Sequence, residues 1–307
     1  MGWLLVVVPG LIWGASFLFI AEGLQAVAPM GVTFVRIAIG FVTLSLLPSA
    51  RRPIVRGDRL KTALLGILWL AFPLSMFPFA EQHVSSALAG MLNGATPLFA
   101  ALVASVLARR SPSRRVAAGL AIGFAGAALI ALPSLPSPTA TTHRVAGQTN
   151  GILMILMALV SYAFAYSLAR PLQQRNGALP VIWRALGVAL VLTAPFGAPA
   201  LANAQWTGRS VGSLVALGAL GTGVAYALLA TAAGRMDATR ASANNFIIPV
   251  VSLLLGITIR HEQVSRIAIV GAGVCLTGAW LIKPAPTDTA LSRNTRLQSV
   301  RRAHAPE

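Results

Sequence analysis

The sequence predicts an all-α integral membrane protein with ten transmembrane helices arranged as two inverted five-helix repeats. Three observations support this prediction. Apolar residues make up 56% of the chain and charged residues only 10%, long apolar stretches follow one another closely, and part of the pattern repeats. Soluble domains carry about 25% charged residues. Because roughly 20 apolar residues span a bilayer, we expect lipid to be the main solvent of this chain.

Ten apolar stretches have the length and composition of membrane helices. They are residues 3–21, 29–48, 61–80, 85–108, 115–133, 151–169, 180–199, 211–233, 241–259 and 266–282. Because the number of spans is even, both termini must lie on the same side of the membrane.

The positions of Lys and Arg predict the orientation. With cytoplasmic termini, eighteen of the 24 Lys and Arg residues lie in cytoplasmic segments and four lie outside, while Arg36 and Arg184 fall within spans. Cytoplasmic loops are enriched in these residues. We therefore expect a multi-pass protein of the cell inner membrane, in contact with the lipid bilayer and present as a monomer or homodimer. The net charge of +17 follows from this bias and not from a basic face, so no nucleic acid partner is expected.

The second half of the chain repeats polar and glycine positions of the first. The 152 residues from Pro97 to Pro249 also separate further matched pairs, which are Asn93 with Asn245, Gly119 with Gly271 and Gly126 with Gly278. Five spans per half invert the second copy relative to the first. We expect repeats at residues 3–133 and 151–283, an extracytoplasmic linker at 134–150 and a basic cytoplasmic tail at 284–307. Such repeats typically move solutes by alternating access.

Several of these residues carry a family resemblance. They are Trp13-Gly14, Arg36, the stretch from 85 to 132 with Pro97, and the stretch from 241 to 282 with Pro249 and Glu262. Together they resemble the drug/metabolite transporter (DMT) superfamily, specifically its ten-helix EamA-like family. In one departure, Arg110 stands where the family usually has an acidic residue. The resemblance implies that each half is an EamA-like repeat.

Together, repeat and resemblance predict a secondary transporter that exports a small metabolite, amino acid or drug-like solute across the bacterial inner membrane. A membrane-embedded enzyme and a non-transporting membrane sensor are the alternatives. An enzyme needs a nucleophile with its base, a metal cluster or paired carboxylates, and no such set is recognisable within the spans. We expect no catalytic residues, no metal and no cofactor. The single Cys275 lies in an apolar stretch and fits this view.

Polar residues inside the spans are the candidate substrate contacts. Asn93 and Asn245, with Asn244 adjacent, place amides at mid-span, where each needs a hydrogen bond or a water-filled cavity. Pro97 and Pro249 follow four residues later and are expected to kink their helices. Interhelical hydrogen bonding is the alternative role of the amides.

Aromatic residues with polar tips form a second group of candidates. Trp13, Tyr162 and Tyr226 lie deep enough to line a solute cavity, as does Tyr166, although interfacial anchoring is the alternative. For Arg36, a gating or anion-binding role and snorkelling towards the outer surface are both open.

The spans contain no acidic residue at mid-depth. Proton-driven carriers often use an embedded carboxylate, so its absence argues against proton coupling, with His83 or a glutamate at the end of a span as the remaining possibility. Glu22 and Glu81 end spans on the outer side. We expect both to be solvated charges.

Overall fold

A computed structural model describes residues 4–134, 142–235 and 244–282. Within these ranges the chain forms helices and no strand. Seven helices are long and apolar enough to cross a bilayer, and three shorter apolar helices lie at the second, ninth and tenth predicted spans. The predicted all-α membrane class is confirmed. The inverted relation of the halves stays a prediction. The whole tail (284–307) and part of the linker (135–141) lie outside the described residues.

Seven α-helices build the first five spans. They are α1 (Leu4–Gly23), α2 (Pro29–Ser45), α3 (Arg59–Leu65), α4 (Phe72–Ala80), α5 (Ser86–Asn93), α6 (Thr96–Leu107) and α7 (Arg114–Ala131), with short 3-10 helices at Pro48–Arg51, Arg56–Asp58 and Leu132–Ser134. A π-helical segment, Gly66–Ala71, joins α3 to α4 inside the third span. The fourth span is broken between α5 and α6.

Six α-helices build the last five spans. They are α8 (Thr142–Asn176), α9 (Ala178–Gly197), α10 (Gly208–Gly218), α11 (Ala225–Arg235), α12 (Asn244–Arg260) and α13 (Arg266–Ile282), with a 3-10 helix at Pro199–Asn203. A second π-helical segment, Ala219–Val224, joins α10 to α11 inside the eighth span. The two π-helical segments therefore lie in the third and eighth spans, which the repeat predicts to correspond.

Hydroxyl side chains begin several of these helices. The Ser85 hydroxyl accepts a hydrogen bond from the Leu88 backbone N–H at 3.2 Å, and Ser113 caps α7 in the same way. Thr207 and Ser210 form a reciprocal capping box at the start of α10. Each cap satisfies an N–H group that has no partner within the helix. These short polar signals set where the apolar spans begin.

Glycines bring the fifth and tenth spans into backbone contact. A Cβ added at Gly119 on α7 would lie 2.9 Å from the carbonyl oxygen of Gly278 on α13. A Cβ added at Gly271 would lie 2.8 Å from the carbonyl oxygen of Gly126. The 152-residue shift relates Gly119 to Gly271 and Gly126 to Gly278, so it converts the first contact into the second. A two-fold relation between the halves would produce such a pair of contacts. Small residues are the usual means by which membrane helices approach closely.

Cysteine labelling tests the predicted orientation. In a Cys275→Ala background, Thr141→Cys should react with an impermeant maleimide in intact cells and Ser299→Cys should not, because the positive-inside bias places the linker outside and the tail inside. The native thiol is 1% exposed, so its removal only eliminates background. Labelling of Ser299→Cys but not of Thr141→Cys would contradict the orientation.

Candidate functional site

Seven aromatic side chains from the first, third, sixth and eighth spans meet between the two halves of the chain. This aromatic cluster consists of Trp13, Phe17, Trp69, Phe77, Tyr162, Tyr166 and Tyr226. The ring centroid of Tyr226 lies 5.4 Å from that of Trp13 and 5.4 Å from that of Trp69. Edge-to-face pairs at such distances contribute about 0.5–1.5 kcal/mol beyond burial. The fold thus brings the candidates Trp13, Tyr162 and Tyr226 into one cluster.

The indole of Trp13 is held by the second π-helical segment. Its Nε1–H donates to the carbonyl oxygen of Gly221 at 2.8 Å. A π-helical turn departs from the regular i→i−4 hydrogen bonds, and such turns are frequent at functional sites. Gly221 also allows α1 to approach, because an added Cβ would lie 3.0 Å from the Ser16 hydroxyl. The eighth span thereby supplies a backbone acceptor to the cluster.

Arg36 on α2 lies beside the same π-helical segment. It is 5% exposed, and its Nε–H donates to the hydroxyl of Thr222 at 3.0 Å. Its Nη2 lies 3.9 Å from the position that a Cβ on Gly221 would take. Arg36 therefore points into the helix bundle and does not snorkel to the membrane surface.

Polar atoms around the aromatic cluster lack partners within the described protein. The terminal nitrogens of Arg36 and the hydroxyls of Tyr162 and Tyr226 make no hydrogen bond there. They are nevertheless not sealed from solvent, because the only unpaired atoms that are fully buried among the described residues belong to Glu81. These atoms therefore keep a small accessible surface within the bundle. A guanidinium with free N–H groups beside aromatic walls suits a carboxylate joined to an apolar group.

Arg36 forms no ion pair with the acidic residues of the described ranges, whose ion pairs all involve other arginines. A buried cation costs free energy unless an anion or several hydrogen bonds compensate it. The single bond to Thr222 compensates it only in part. A bound anionic group would complete the site.

The candidate amides lie apart from this hydrogen-bonded arrangement. Asn93 ends α5, and its Oδ1 accepts from the Thr96 hydroxyl at 3.3 Å. Asn245 is half-buried on α12, and the side chain of Asn244 lies outside the described residues. Within the described chain, neither Asn93 nor Asn245 hydrogen-bonds to a member of the aromatic cluster. The hydrogen bonds of the described residues therefore do not connect these amides to Arg36.

The two matched prolines occupy different local structures. Pro97 lies in the first turn of α6, just after the break that separates α5 from α6. Pro249 lies inside the continuous helix α12. A Cβ added at Gly94 would lie 2.6 Å from the Pro249 ring. The break and this close contact place both prolines where the fourth and ninth spans meet.

Sequence reasoning missed two residues of the site. Trp69 connects Tyr166 to Tyr226, and Thr222 positions the guanidinium of Arg36. Trp69 could have been identified as a tryptophan deep within a span. Thr222 has a weaker signal, a hydroxyl between two glycines at mid-span. Neither residue reveals the π-helical segment in which it lies.

A charged cluster of four residues joins spans at the end of the bundle predicted to face outward. Glu22, in the last turn of α1, pairs with Arg209 at 2.7 Å and with Arg260 at 2.6 Å. Arg260 also pairs with Glu262 at 3.2 Å. We call Glu22, Arg209, Arg260 and Glu262 the outer charged cluster. It ties the first, eighth and ninth spans together.

The carboxylate of Glu262 also caps the fourth span. It accepts hydrogen bonds from the Ser86 hydroxyl at 2.8 Å and from the Ala87 backbone N–H at 2.9 Å. Negative charge at the start of α5 is favourable because the first N–H groups of a helix have no internal acceptor. The outer charged cluster therefore reaches four spans.

The expectation that Glu22 and Glu81 are solvated charges is wrong. Glu22 is 7% exposed and bound by two arginines, and both carboxylate oxygens of Glu81 are buried. The physical reason is that neighbouring spans cover the helix ends, which the chain order does not reveal.

A groove of about 580 Å³ lies elsewhere, between α2, α3 and α9. Its walls include Phe41, Thr62 and Trp183, and none of its lining residues belongs to the aromatic cluster. Val191, which also lines it, is 71% exposed, so the groove opens at the outside of the bundle. We place the candidate site at the aromatic cluster, because unpaired polar groups converge there between both halves.

Comparison with known proteins gives consistent matches over most of the chain. The model of the EamA-like transporter family matches residues 1–132 and 149–283. An uncharacterized transporter of Archaeoglobus fulgidus is 22% identical and covers 91% of this chain and 98% of its own length. A probable terminal-alkyne amino-acid exporter of Streptantibioticus cattleyicolor is 26% identical, covering 88% and 89%. The uncharacterized inner membrane transporter YedA of Escherichia coli is 28% identical, covering 89% and 87%.

The fold also matches a solved structure. A protein crystal structure superimposes with a TM-score of 0.62 and 19% identity, covering 96% of this chain and 98% of the other. At this identity the match supports the fold alone.

Proposed function

Because this chain belongs to the EamA-like transporter family, we propose that it is a secondary carrier that exports a small carboxylate-bearing solute with an apolar side group, such as an amino acid, across the inner membrane. The observation that carries the proposal is Arg36, a buried cation with free N–H groups and no carboxylate partner in the described ranges. The solute carboxylate would bind Arg36, and its apolar group would pack on the aromatic cluster.

Alternating access fits the distribution of contacts. The outer charged cluster holds the first, fourth, eighth and ninth spans together at one end. At the other end, Asp58 accepts from Arg175 and Asn176, which joins the third and sixth spans. We propose that these polar contacts break and re-form as the halves rock around the site. The similarity to a probable amino-acid exporter favours export as the direction.

Transport in proteoliposomes tests the proposal. Vesicles preloaded with unlabelled L-phenylalanine should take up radiolabelled L-phenylalanine faster than protein-free vesicles, because a carrier exchanges solute across the bilayer. L-phenylalanine methyl ester should compete poorly, since it lacks the carboxylate that Arg36 would bind. Uptake equal to that of protein-free vesicles, with L-leucine and L-tryptophan equally inactive, would overturn the proposal.

The same assay separates the two roles proposed for the amides. If they contact solute, Asn93→Leu and Asn245→Leu should lower exchange about three- to tenfold at equal amounts of folded protein, the scale of one polar contact within a membrane. Leu102→Ala and Leu254→Ala, at partly exposed positions, serve as controls. Loss of folded protein in step with activity would instead assign the amides to interhelical hydrogen bonding.

A further inference from the structure

Glu81 carries a carboxylate without a partner in the described protein. It follows α4 directly, just beyond the span Arg56–Ala80. The residue as a whole is partly exposed, but both of its carboxylate oxygens are buried and unpaired. The other acidic side chains of the described ranges, Glu22, Asp58 and Glu262, all accept hydrogen bonds. Glu81 is therefore the exception among them.

Glu81 directly follows α4, which packs against α1, α2 and α8. The described titratable side chains on these elements are Glu22 on α1, Arg36 on α2, and Tyr162, Tyr166, Arg170 and Arg175 on α8, with His83 on the segment of Glu81 itself. α8 also carries His143 and Arg144, whose side chains lie outside the described residues. The adjoining outer charged cluster adds Arg209, Arg260 and Glu262. Of these, Glu262, Arg260 and Arg36 act electrostatically on Glu81. Glu81 is thus electrostatically coupled to the outer charged cluster and to Arg36, the proposed contact of the solute carboxylate.

Its surroundings favour the protonated form. Burial, followed by the negative charge of Glu262, raises the pKa of Glu81 well above its ordinary value. Arg260 and Arg36 act in the opposite direction but are outweighed. A carboxylate buried without hydrogen bonds is costly, whereas a neutral carboxyl is much less so. Burial without a partner and the raised pKa therefore both favour the neutral carboxyl group in this conformation.

We propose that Glu81 is a proton-binding site that couples proton release to opening of the outer charged cluster, a role that rests on the proposed transport function. When the carboxyl O–H bond breaks, the proton passes to water and the carboxylate keeps the bonding electron pair. In the structure, Arg260 bridges Glu22 and Glu262. The new negative charge on Glu81 competes with these two carboxylates for Arg260. Withdrawal of Arg260 removes the ion pair between the first and ninth spans. Reprotonation restores it.

Arg260 is suited to such an exchange of partners. Its side chain is 25% exposed, so it can move, and its guanidinium has five N–H donors. Glu22 would keep Arg209 as a partner, and Glu262 would keep the helix start at Ser86 and Ala87. Neither acid is left unpaired when Arg260 leaves. The movement of Arg260 therefore leaves no charged side chain of the cluster without a partner.

Thermal unfolding as a function of pH provides a test that does not involve transport. A group whose pKa is raised in the folded state stabilises the fold below its ordinary pKa and loses that contribution as pH rises towards the raised value. Between about pH 5 and pH 9, wild type should therefore lose more stability than Glu81→Gln, and the variant should melt at least about 2–4 °C higher at the alkaline end. Gln82→Ala, an exposed neighbour, should follow wild type. Parallel pH profiles for wild type and Glu81→Gln would overturn the proposal.

Proteoliposomes with an acidic interior test the coupling itself. Wild type should accumulate radiolabelled L-phenylalanine above the external concentration as protons leave, whereas Glu81→Gln should only equalise the two concentrations. Exchange without a gradient should also be slower in Glu81→Gln than in wild type, because a neutral side chain at position 81 cannot draw Arg260 away from Glu22 and Glu262. Accumulation by Glu81→Gln equal to wild type would overturn the proposal. Absence of exchange in wild type would instead count against the proposed function.

Infrared spectroscopy of the wild-type protein covers the case in which Glu81→Gln does not fold. A protonated carboxyl band should persist at neutral pH, disappear at alkaline pH and shift in Glu81→Asp. Absence of this band from folded wild type at neutral pH would overturn the proposal.

Discussion

Replacing Arg36 with Gln should lower L-phenylalanine exchange by at least about 100-fold, because removing one partner of a buried charge pair costs about 3–5 kcal/mol. The solute carboxylate would then lie in the bundle without a counter-charge. The reference point is the present geometry, in which Arg36 is 5% exposed and its Nε–H is bonded to Thr222. The measurement is the initial rate of exchange in proteoliposomes at matched amounts of folded protein.

Two companion variants separate charge from geometry. Arg36→Lys keeps the charge but loses the planar group that can bind a carboxylate through two N–H donors, so we expect an intermediate rate. Arg184→Gln removes the other arginine within a span, which is half-exposed, and should change exchange by less than about threefold. Exchange by Arg36→Gln within twofold of wild type would exclude Arg36 as the anion contact.

Replacing Gly278 with Val should eliminate most of the folded protein. A Cβ at this position would contact the backbone N and Cα of Gly123 and lie 2.6 Å from the carbonyl oxygen of Gly119. Backbone atoms cannot move aside as a flexible side chain can. Overpacking a close contact typically costs about 1–3 kcal/mol and here should exceed that range, because the whole length of α7 and α13 must separate. The measurement is the monodisperse fraction after detergent extraction and its melting temperature.

Gly273 on the same helix provides the matched control. A Cβ added there meets no atom of the described chain within 4 Å. Gly273→Val should therefore leave the yield and the melting temperature within error of wild type. Equal behaviour of the two variants would show that the contact between the fifth and tenth spans does not determine stability.

The helical membrane class and the approximate positions of the spans follow from the sequence. A predicted span at 29–48 corresponds to α2 at Pro29–Ser45, and one at 266–282 corresponds to α13 at Arg266–Ile282. The agreement has a simple cause, because the thickness of the bilayer and the need to satisfy backbone hydrogen bonds leave few options for an apolar stretch of this length. Orientation and the inverted relation of the halves stay predictions.

The candidate site was only partly predictable. Depth within a span was enough to select Trp13, Tyr162, Tyr226 and Arg36, since polar tips and charges are rare in lipid and usually face the protein interior. Their partners were not predictable. The Gly221 carbonyl receives Trp13 because a π-helical segment places it there, and no local residue pattern distinguishes that segment from ordinary helix.

The acidic residues show most clearly what only the tertiary structure decided. The sequence determined that Glu22 and Glu81 end spans, because apolar residues stop there. Whether such an end is wet or buried depends on which other helix ends lie beside it. Glu22 is covered by and paired with Arg209 and Arg260, which lie 187 and 238 residues further along the chain. The carboxylate oxygens of Glu81, in contrast, are buried and have no partner among the described residues. Span length is set by the membrane and can be predicted locally. Electrostatic pairing depends on packing between distant segments, so only the folded bundle decides which carboxylate pairs with arginine and which is buried without a partner.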